Sequence, residues 1–324
     1  MKFPFVSVII PTYNEEKYIR KCLEAWVNQD YPKDRYEILI FDGMSTDRTV
    51  EIVREIQRKN PKLIKLFKNE KRRQVFAFNE GIKKAKGDFF VIFGAHAYPK
   101  RDFLKRSVKV FLEARKEEPK LAGVGGKIVK LHENGLARIV ALIYSSPLSG
   151  ASSFHYRKER HFAKTVAFAL YDKEIAIRAG GFDEDMIVGD DFEFNLRLNK
   201  LGYKLLFDPT IVSYYFTRCE LRKFLIQTFN YGAVKGVSIR KGYFSPLWLL
   251  IPLLIGCEAF LFFYKPLIWL FILYFAILVG EGVRLWKETK RADSLLLPFA
   301  MWLFHNLIAL GFIAGLIVGK KAFR

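Results

Sequence analysis

The sequence predicts an α/β fold with a Rossmann-like, mostly parallel sheet, followed by C-terminal transmembrane helices. Three observations carry this. Short apolar runs bounded by Gly or Pro alternate with amphipathic helical patterns through the first hundred residues, the spacing of right-handed βαβ crossovers. The runs are β-branched or aromatic at consecutive positions, as strands buried on both faces require. After Ser245 the composition turns almost wholly apolar.

Val6 to Ile10 is the first strand, stopped by Pro11, and Thr-Tyr-Asn-Glu-Glu leads into a helix with Ile19, Leu23 and either Ala25 or Trp26 inward. Tyr36 to Phe41 is the second strand, and the helix after it is marked by Val50, Ile52, Val53 and Ile56. Leu63 to Phe67, a helix over Phe76 to Ala85, and Phe89 to Phe93 complete the alternation. No Gly-x-Gly-x-x-Gly follows the first strand, so this is a nucleotide-binding half without the dinucleotide fingerprint. A Gly-rich strand from Leu121 to Leu131 opens a less regular region with loops at Ser145 to Ser153 and His155 to His161. A helix beginning near Asp172 is closed by Gly180 and Gly181. Another begins at Asp190 and Asp191, turns Phe192, Leu196 and Leu198 or Leu201 inward, and ends at Gly202.

Ligands of open α/β sheets bind beyond the carboxyl ends of the strands. The polar residues at those ends are Thr12 and Glu15, Asp42 and Asp47, Arg72 and Arg73, and His96. Asp42, at the end of a buried strand and before a glycine, suits ribose hydroxyls. Asp47 is a helix cap or a ligand contact, and Arg72 and Arg73 are a solvated charge run or part of the crevice. His96 stands at a ligand address or in a plain surface turn. One aspartate at 190–191 is explained by the helix dipole; two after a glycine ask for more. A net charge of +20 calls for an anionic partner, and no nucleic-acid motif accompanies it. Cys22, Cys219 and Cys257 lack metal spacing and read as reduced packing residues of a cytoplasmic domain, with no signal peptide ahead of Val6.

Together, Val6-Ser-Val-Ile-Ile-Pro-Thr-Tyr-Asn-Glu15, Phe41-Asp-Gly-Met-Ser-Thr-Asp-Arg-Thr49, Asn79-Glu-Gly-Ile-Lys-Lys-Ala-Lys-Gly-Asp88, Gly180-Gly-Phe-Asp-Glu184 and Gly189-Asp-Asp-Phe-Glu-Phe-Asn-Leu-Arg-Leu198 resemble the family 2 glycosyltransferases of GT-A fold. The resemblance covers about the first two thirds of the chain, in order. Ala95-His-Ala-Tyr-Pro99 and Gln227 with Tyr231 and Gly232 are most similar to the exopolysaccharide-assembly branch typified by succinoglycan synthesis. It implies a pocket for a UDP- or GDP-linked sugar made by Pro11, Thr12, Glu15 and Asp42, lined also by Asp88, with Arg73 among the donor-binding residues. It implies that Gly94-Ala95-His96 stands for the family's Asp-x-Asp, leaving His96 to bind a divalent metal, Mn or Mg. Asp191 then corresponds to the general base, with Asp190 next in line, in an inverting displacement. The loss of the first Asp-x-Asp carboxylate at Gly94 keeps a second expectation open, a catalytically impaired membrane scaffold.

The expected domains are 1–217, the GT-A domain, with a nucleotide half (1–99) and an acceptor half (100–217); 218–243, a basic interface segment; and 244–324, a membrane region of two to three helices. Leu221 to Ala233 reads as a headgroup-plane helix or a packing helix. Ser245 to Tyr264 and Pro266 to Val283 are expected to span as a hairpin, and Leu295 to Val318, interrupted by His305 and Asn306, to span or re-enter. Flanking cations place the catalytic domain on the cytoplasmic side of a multi-pass membrane protein, facing a lipid-linked or glycan acceptor.

Overall fold

Strand β1 (Val6–Thr12) pairs in parallel with β2 (Tyr36–Asp42) on one side and β4 (Phe89–Ile92) on the other, and β3 (Ile64–Lys68) extends the parallel set beyond β2. The sheet then becomes mixed: β8 (Leu170–Asp172) runs antiparallel to β4, followed by β6 (Leu121–His132), β9 (Lys204–Thr217) and β5 (Ala97–Pro99), with β7 (His161–Phe162) antiparallel to β9. The computed structural model describes residues 3–132, 134–150, 155–217, 220–261 and 263–323. The expected Cys219 lies outside them. The chain forms two compact units, Met1–Leu131, Ser152–Met186 and Asp190–Phe216 in one and His132–Ala151, Ile187–Gly189 and Thr217–Arg324 in the other. Segment 132–151, expected in the acceptor half, therefore belongs with the C-terminal helices.

In the first unit, side-chain alternation divides the core. Val6, Val8 and Ile10 of β1 with Ile38 and Ile40 of β2 pack beneath helices α1 (Ile19–Val27), α2 (Thr49–Lys59) and α4 (Phe103–Glu117). Ile9, Leu39 and Phe41 face α3 (Gln74–Lys84), α6 (Lys173–Arg178) and α7 (Asp190–Lys200). Trp26, and not Ala25, is the inward residue of α1; it is fully buried edge-on to Phe93 and Phe103. Asp172 caps α6 by accepting from the Ile175 N–H at 2.9 Å.

Helix α7 departs from its expected face. Phe194 and Leu198 are buried, Phe192 and Leu196 are only half-buried, and Leu201 is 54% exposed. The cause is that Asp190, Glu193 and Asn195 all point inward, each with polar partners, so an apolar-in, polar-out pattern misplaces the stripe.

The second unit contains α5 (Gly135–Ser145), α8 (Leu221–Arg240), α9 (Leu250–Phe260), α10 (Leu267–Thr289) and α11 (Leu297–Val318). Two helical stretches, Leu267–Thr289 and Ala292–Ala322, are long and apolar enough to cross a membrane. The expected first span, Ser245 to Tyr264, is corrected to a 3-10 turn over Pro246–Leu249 and an 11-residue α9. At 1.5 Å per residue α9 is roughly 17 Å long, about half a hydrocarbon core. Pro252 sits in its first turn, where the missing N–H is tolerated, and so marks where the helix starts. His305 and Asn306 do not interrupt α11, because both side chains hydrogen-bond inside the unit. His305 bonds Tyr274 Oη at 2.8 Å and the Leu148 carbonyl at 2.9 Å, and Asn306 donates to the Trp302 carbonyl at 3.0 Å.

Helix α8 continues past Ala233 to Arg240 and packs along α11, with Gly232 and Gly236 against the α11 backbone at Ile308 and Phe312, and Gly311 and Gly315 against the α8 backbone at Phe229 and Ala233. A Cβ built at Gly311 would collide with the Phe229 carbonyl, so the two backbones meet where only glycine fits. Gly311→Val is expected to lower stability by about 1–3 kcal/mol, the range for overpacking. Thermal unfolding of the full chain in detergent measures it.

Candidate functional site

The loops at the carboxyl ends of β1 and β2 are built from each other. Register pairs Thr12 with Asp42, and Thr12 Oγ1 donates to Asp42 Oδ1 at 3.3 Å. Ser45 donates to the same carboxylate from its hydroxyl (2.6 Å) and its N–H (3.0 Å). Asn14 Oδ1 accepts from the Thr46 N–H, and the Asn14 N–H donates to Ser45 Oγ. Asp47, one residue ahead of the α2 N-cap position at Arg48, accepts from the N–H groups of Thr49 and Glu16 and so ties the helix start to the first loop. Three of these carboxyl-end loops carry a non-glycine residue in the left-handed region, Asn14 (φ 52°), Met44 (φ 65°) and Arg72 (φ 59°). Such conformations cost energy and persist where surrounding contacts enforce them.

Between β4 and β5 the His96 ring is clamped. Its Nδ1 lies 3.1 Å from Glu15 Oε1 and its Nε2 3.0 Å from Tyr215 Oη. Burial pushes the imidazole down to about 4, so it is neutral at physiological pH. A neutral, carboxylate-oriented imidazole is a donor suited to a divalent cation, and in this sense His96 with Glu15 behind it fits one. Among the described residues no group of three His, Cys, Asp or Glu side chains converges to hold a metal unaided. At Gly94 a Cβ would make only ordinary contacts with Phe168, 3.5 Å away, so glycine there is not demanded by packing.

Two other expected residues stand elsewhere. Asp88 precedes β4, and Val6 pairs with Phe89, so Asp88 lies at the amino end of the sheet, roughly 20 Å along the strands from Thr12. It is exposed there and its carbonyl accepts from the Lys173 N–H, which removes it from the crevice. Strand direction is the reason: a residue just before a parallel strand is at the wrong end. Arg73 donates from Nη2 to the carbonyls of Glu184 (2.8 Å) and Met186 (2.6 Å), holding the loop that leads to Asp190, while Arg72 stays exposed.

The aspartate pair opens α7. Asp190 is buried, and its Oδ1 accepts from Gln74 Nε2 at 2.8 Å and from the Asp191 N–H. Asp191 is more accessible; its Oδ1 accepts from the Phe192 N–H at 2.8 Å. Burial, and then the charge of Asp191, push the Asp190 carboxyl up to about 7, with Gln74 pulling the other way. Burial raises Asp191 as well. Burial thus disfavours ionisation of both carboxyls, and Asp191 is the less buried of the two. Gln74 and Tyr215 are the residues sequence reasoning passes over: neither lies in a motif, and Tyr215 is on β9, whose pairing with β5 brings it to His96. Asn79, the first residue of the Asn-Glu-Gly motif, donates to the Phe182 carbonyl at 2.9 Å and accepts from the Phe182 N–H at 2.8 Å.

Residues 7–178 match Glycosyl transferase family 2, and residues 141–313 match Glycosyl transferase family group 2. The chain is 54% identical, over 99% of both proteins, to the dolichyl N-acetyl-alpha-D-glucosaminyl phosphate 3-beta-D-2,3-diacetamido-2,3-dideoxy-beta-D-glucuronosyltransferase of Methanococcus voltae. It is 26% identical to the succinoglycan biosynthesis protein ExoA of Rhizobium meliloti, over 94% of this chain and 93% of that one. Its fold is similar to that of a mannosyltransferase from Pyrobaculum calidifontis solved with GDP-Man and Mn2+, with a TM-score of 0.66 and 22% identity over 98% of this chain and 88% of that chain.

The aspartate pair predicts a pH effect. A carboxyl whose folded value lies above its unfolded value contributes stability fully below the ordinary range near 4 and loses it as pH rises through about 7. Asp190→Asn cannot ionise, so its melting temperature is expected to exceed that of the wild type at pH 8 and to lose that advantage by pH 5. Scanning fluorimetry across that range checks it, and a pH-independent difference would contradict the assignment.

Proposed function

The chain belongs to glycosyl transferase family 2, and we propose that it transfers a sugar, with inversion, from a UDP- or GDP-linked donor to a lipid-linked acceptor at the cytoplasmic membrane face. The observation that carries this reading is the end-to-end likeness to the Methanococcus voltae enzyme, whose name specifies a dolichyl phosphate-linked acceptor and a β-linked product. The two long apolar helices agree with an acceptor held in a membrane. Lys287, Lys290 and Arg291, where α10 gives way to α11, favour the cytoplasmic side for that turn.

In this reading Pro11, Thr12 and Asp42 form the floor of the nucleotide pocket, with Asp42 accepting from ribose hydroxyls. Glu15 holds the His96 ring, and His96 is the residue that would hold a divalent cation, Mn or Mg. When bound, that cation supplies positive charge against a diphosphate leaving group. Asp191 takes the proton from the acceptor hydroxyl as it attacks the anomeric carbon. Its helix-start position leaves Oδ2 clear, and its raised affinity for a proton makes it a better base than an ordinary carboxylate. Asp190 and Gln74 set its charge environment, and Arg73 fixes the approach of the loop.

Asp191→Asn is expected to reduce transfer by roughly 10²- to 10⁴-fold, the contribution of a general base, with donor binding nearly unchanged. Transfer to a dolichyl phosphate-linked sugar and calorimetry with the donor measure the two separately. Full turnover in this variant would remove Asp191 from the role.

A further inference from the structure

The clamp on His96 has a donor and an acceptor side. Glu15 as a carboxylate offers only lone pairs, so the neutral ring carries its hydrogen on Nδ1. The Nε2 lone pair is then the acceptor of the Tyr215 hydroxyl hydrogen. We propose that Tyr215 is a positioning residue that masks this lone pair, and that His96 becomes available to a divalent cation only as Tyr215 turns away when a nucleoside diphosphate is present. This rests on the glycosyltransferase reading above.

The surroundings make Tyr215 the movable partner. Glu15 is 7% exposed, and its N–H donates to Thr49 Oγ1 at 2.7 Å, which anchors the backbone beside the ring. The Tyr215 backbone is held by pairing with Ala97, while its ring meets His96 edge-on at 4.9 Å and Phe168 at 6.2 Å. A change of the Tyr215 χ1 rotamer carries Oη off Nε2 while the backbone pairing with Ala97 stays in place. One imidazole is too small a share of a coordination sphere to retain Mn or Mg, and among the described residues no second and third ligand converges on it. The remaining ligands have to come from diphosphate oxygens and water. Cation and nucleotide then support each other's binding, by the reciprocity of linkage.

The test uses full-length protein in detergent, with manganese binding followed by electron paramagnetic resonance, with and without UDP or GDP. For the wild type we expect weak manganese binding alone and tighter binding with nucleotide. Tyr215→Phe keeps the ring and removes the hydroxyl. It should tighten manganese binding in the absence of nucleotide by roughly three- to tenfold, the worth of one hydrogen bond, and shrink the nucleotide's further effect in proportion. Adding His96→Ala to that variant should abolish the gain. An unchanged or weaker manganese affinity in Tyr215→Phe, with a wild-type melting curve, would overturn the proposal. Failure of the wild type to bind either nucleotide would count against the donor assignment instead, and the nucleotide-free manganese comparison still decides the role of Tyr215.

Discussion

A parallel sheet buried on both faces leaves its polar loop atoms one place to go, the carboxyl ends of the strands, and there they must satisfy one another. The register that sets Thr12 opposite Asp42 meets this demand. Asp42 is bonded by Thr12 and Ser45, Asn14 by Ser45 and Thr46, and Asp47 joins Glu16 to Thr49. The same bonds that close the loops leave them rigid, with left-handed backbone at Asn14, Met44 and Arg72 held in place. Loops held this way are preorganised before any ligand arrives.

The remaining motifs follow the same logic at greater sequence distance. Asn79 closes on Phe182, and a side chain at Gly181 would strike Asn79 Oδ1 at 2.8 Å, so Asn-Glu-Gly and Gly-Gly-Phe are halves of one joint. Arg197 grips the carbonyls of Ala179 and Gly181 while forming a two-point ion pair with Glu193. These joints set where α7 starts, and so where Asp190 and Asp191 stand. Much of what a family signature records here is the carpentry of the aspartates and not contact with substrate.

In the second unit the governing fact is backbone proximity. The glycines of α8 and α11 let the two helices touch, and a core of Phe224, Leu278, Met301, Phe304 and Ile308 packs near the seam. Outward residues such as Trp269 and Phe299 stay highly exposed, as a surface meant for lipid would be. Polar residues inside apolar helices are tolerated because each is paired: His305 with Tyr274 and Leu148, and Trp302 with Glu258 at 2.9 Å.

The alternation of strands and helices in the first hundred residues, and the strand ends and loops that carry the candidate residues, were legible in the sequence, because hydrophobic period and turn chemistry are local properties. Pro11, Thr12 and Asp42 stand at the carboxyl ends of strands, Glu15 and His96 in the loops beyond such ends, and Asp191 in the first turn of a helix, positions that the pattern locates. Local pattern could not reveal that Asp88 is at the far end of the sheet, since motif adjacency ignores strand direction. Nor could it reveal that Arg73 donates to the Glu184 and Met186 carbonyls, that Gln74 reaches Asp190, or that Tyr215 reaches His96. Those partners are 111, 113, 116 and 119 residues apart along the chain. Likewise an apolar run measures hydrophobicity but not helix length, which is why Ser245 to Tyr264 looked like a span and is a turn and a short helix. Composition and period are set by each residue and its neighbours, whereas which nitrogen of His96 is covered is set by strand pairing between β5 and β9, and only the folded chain makes that choice.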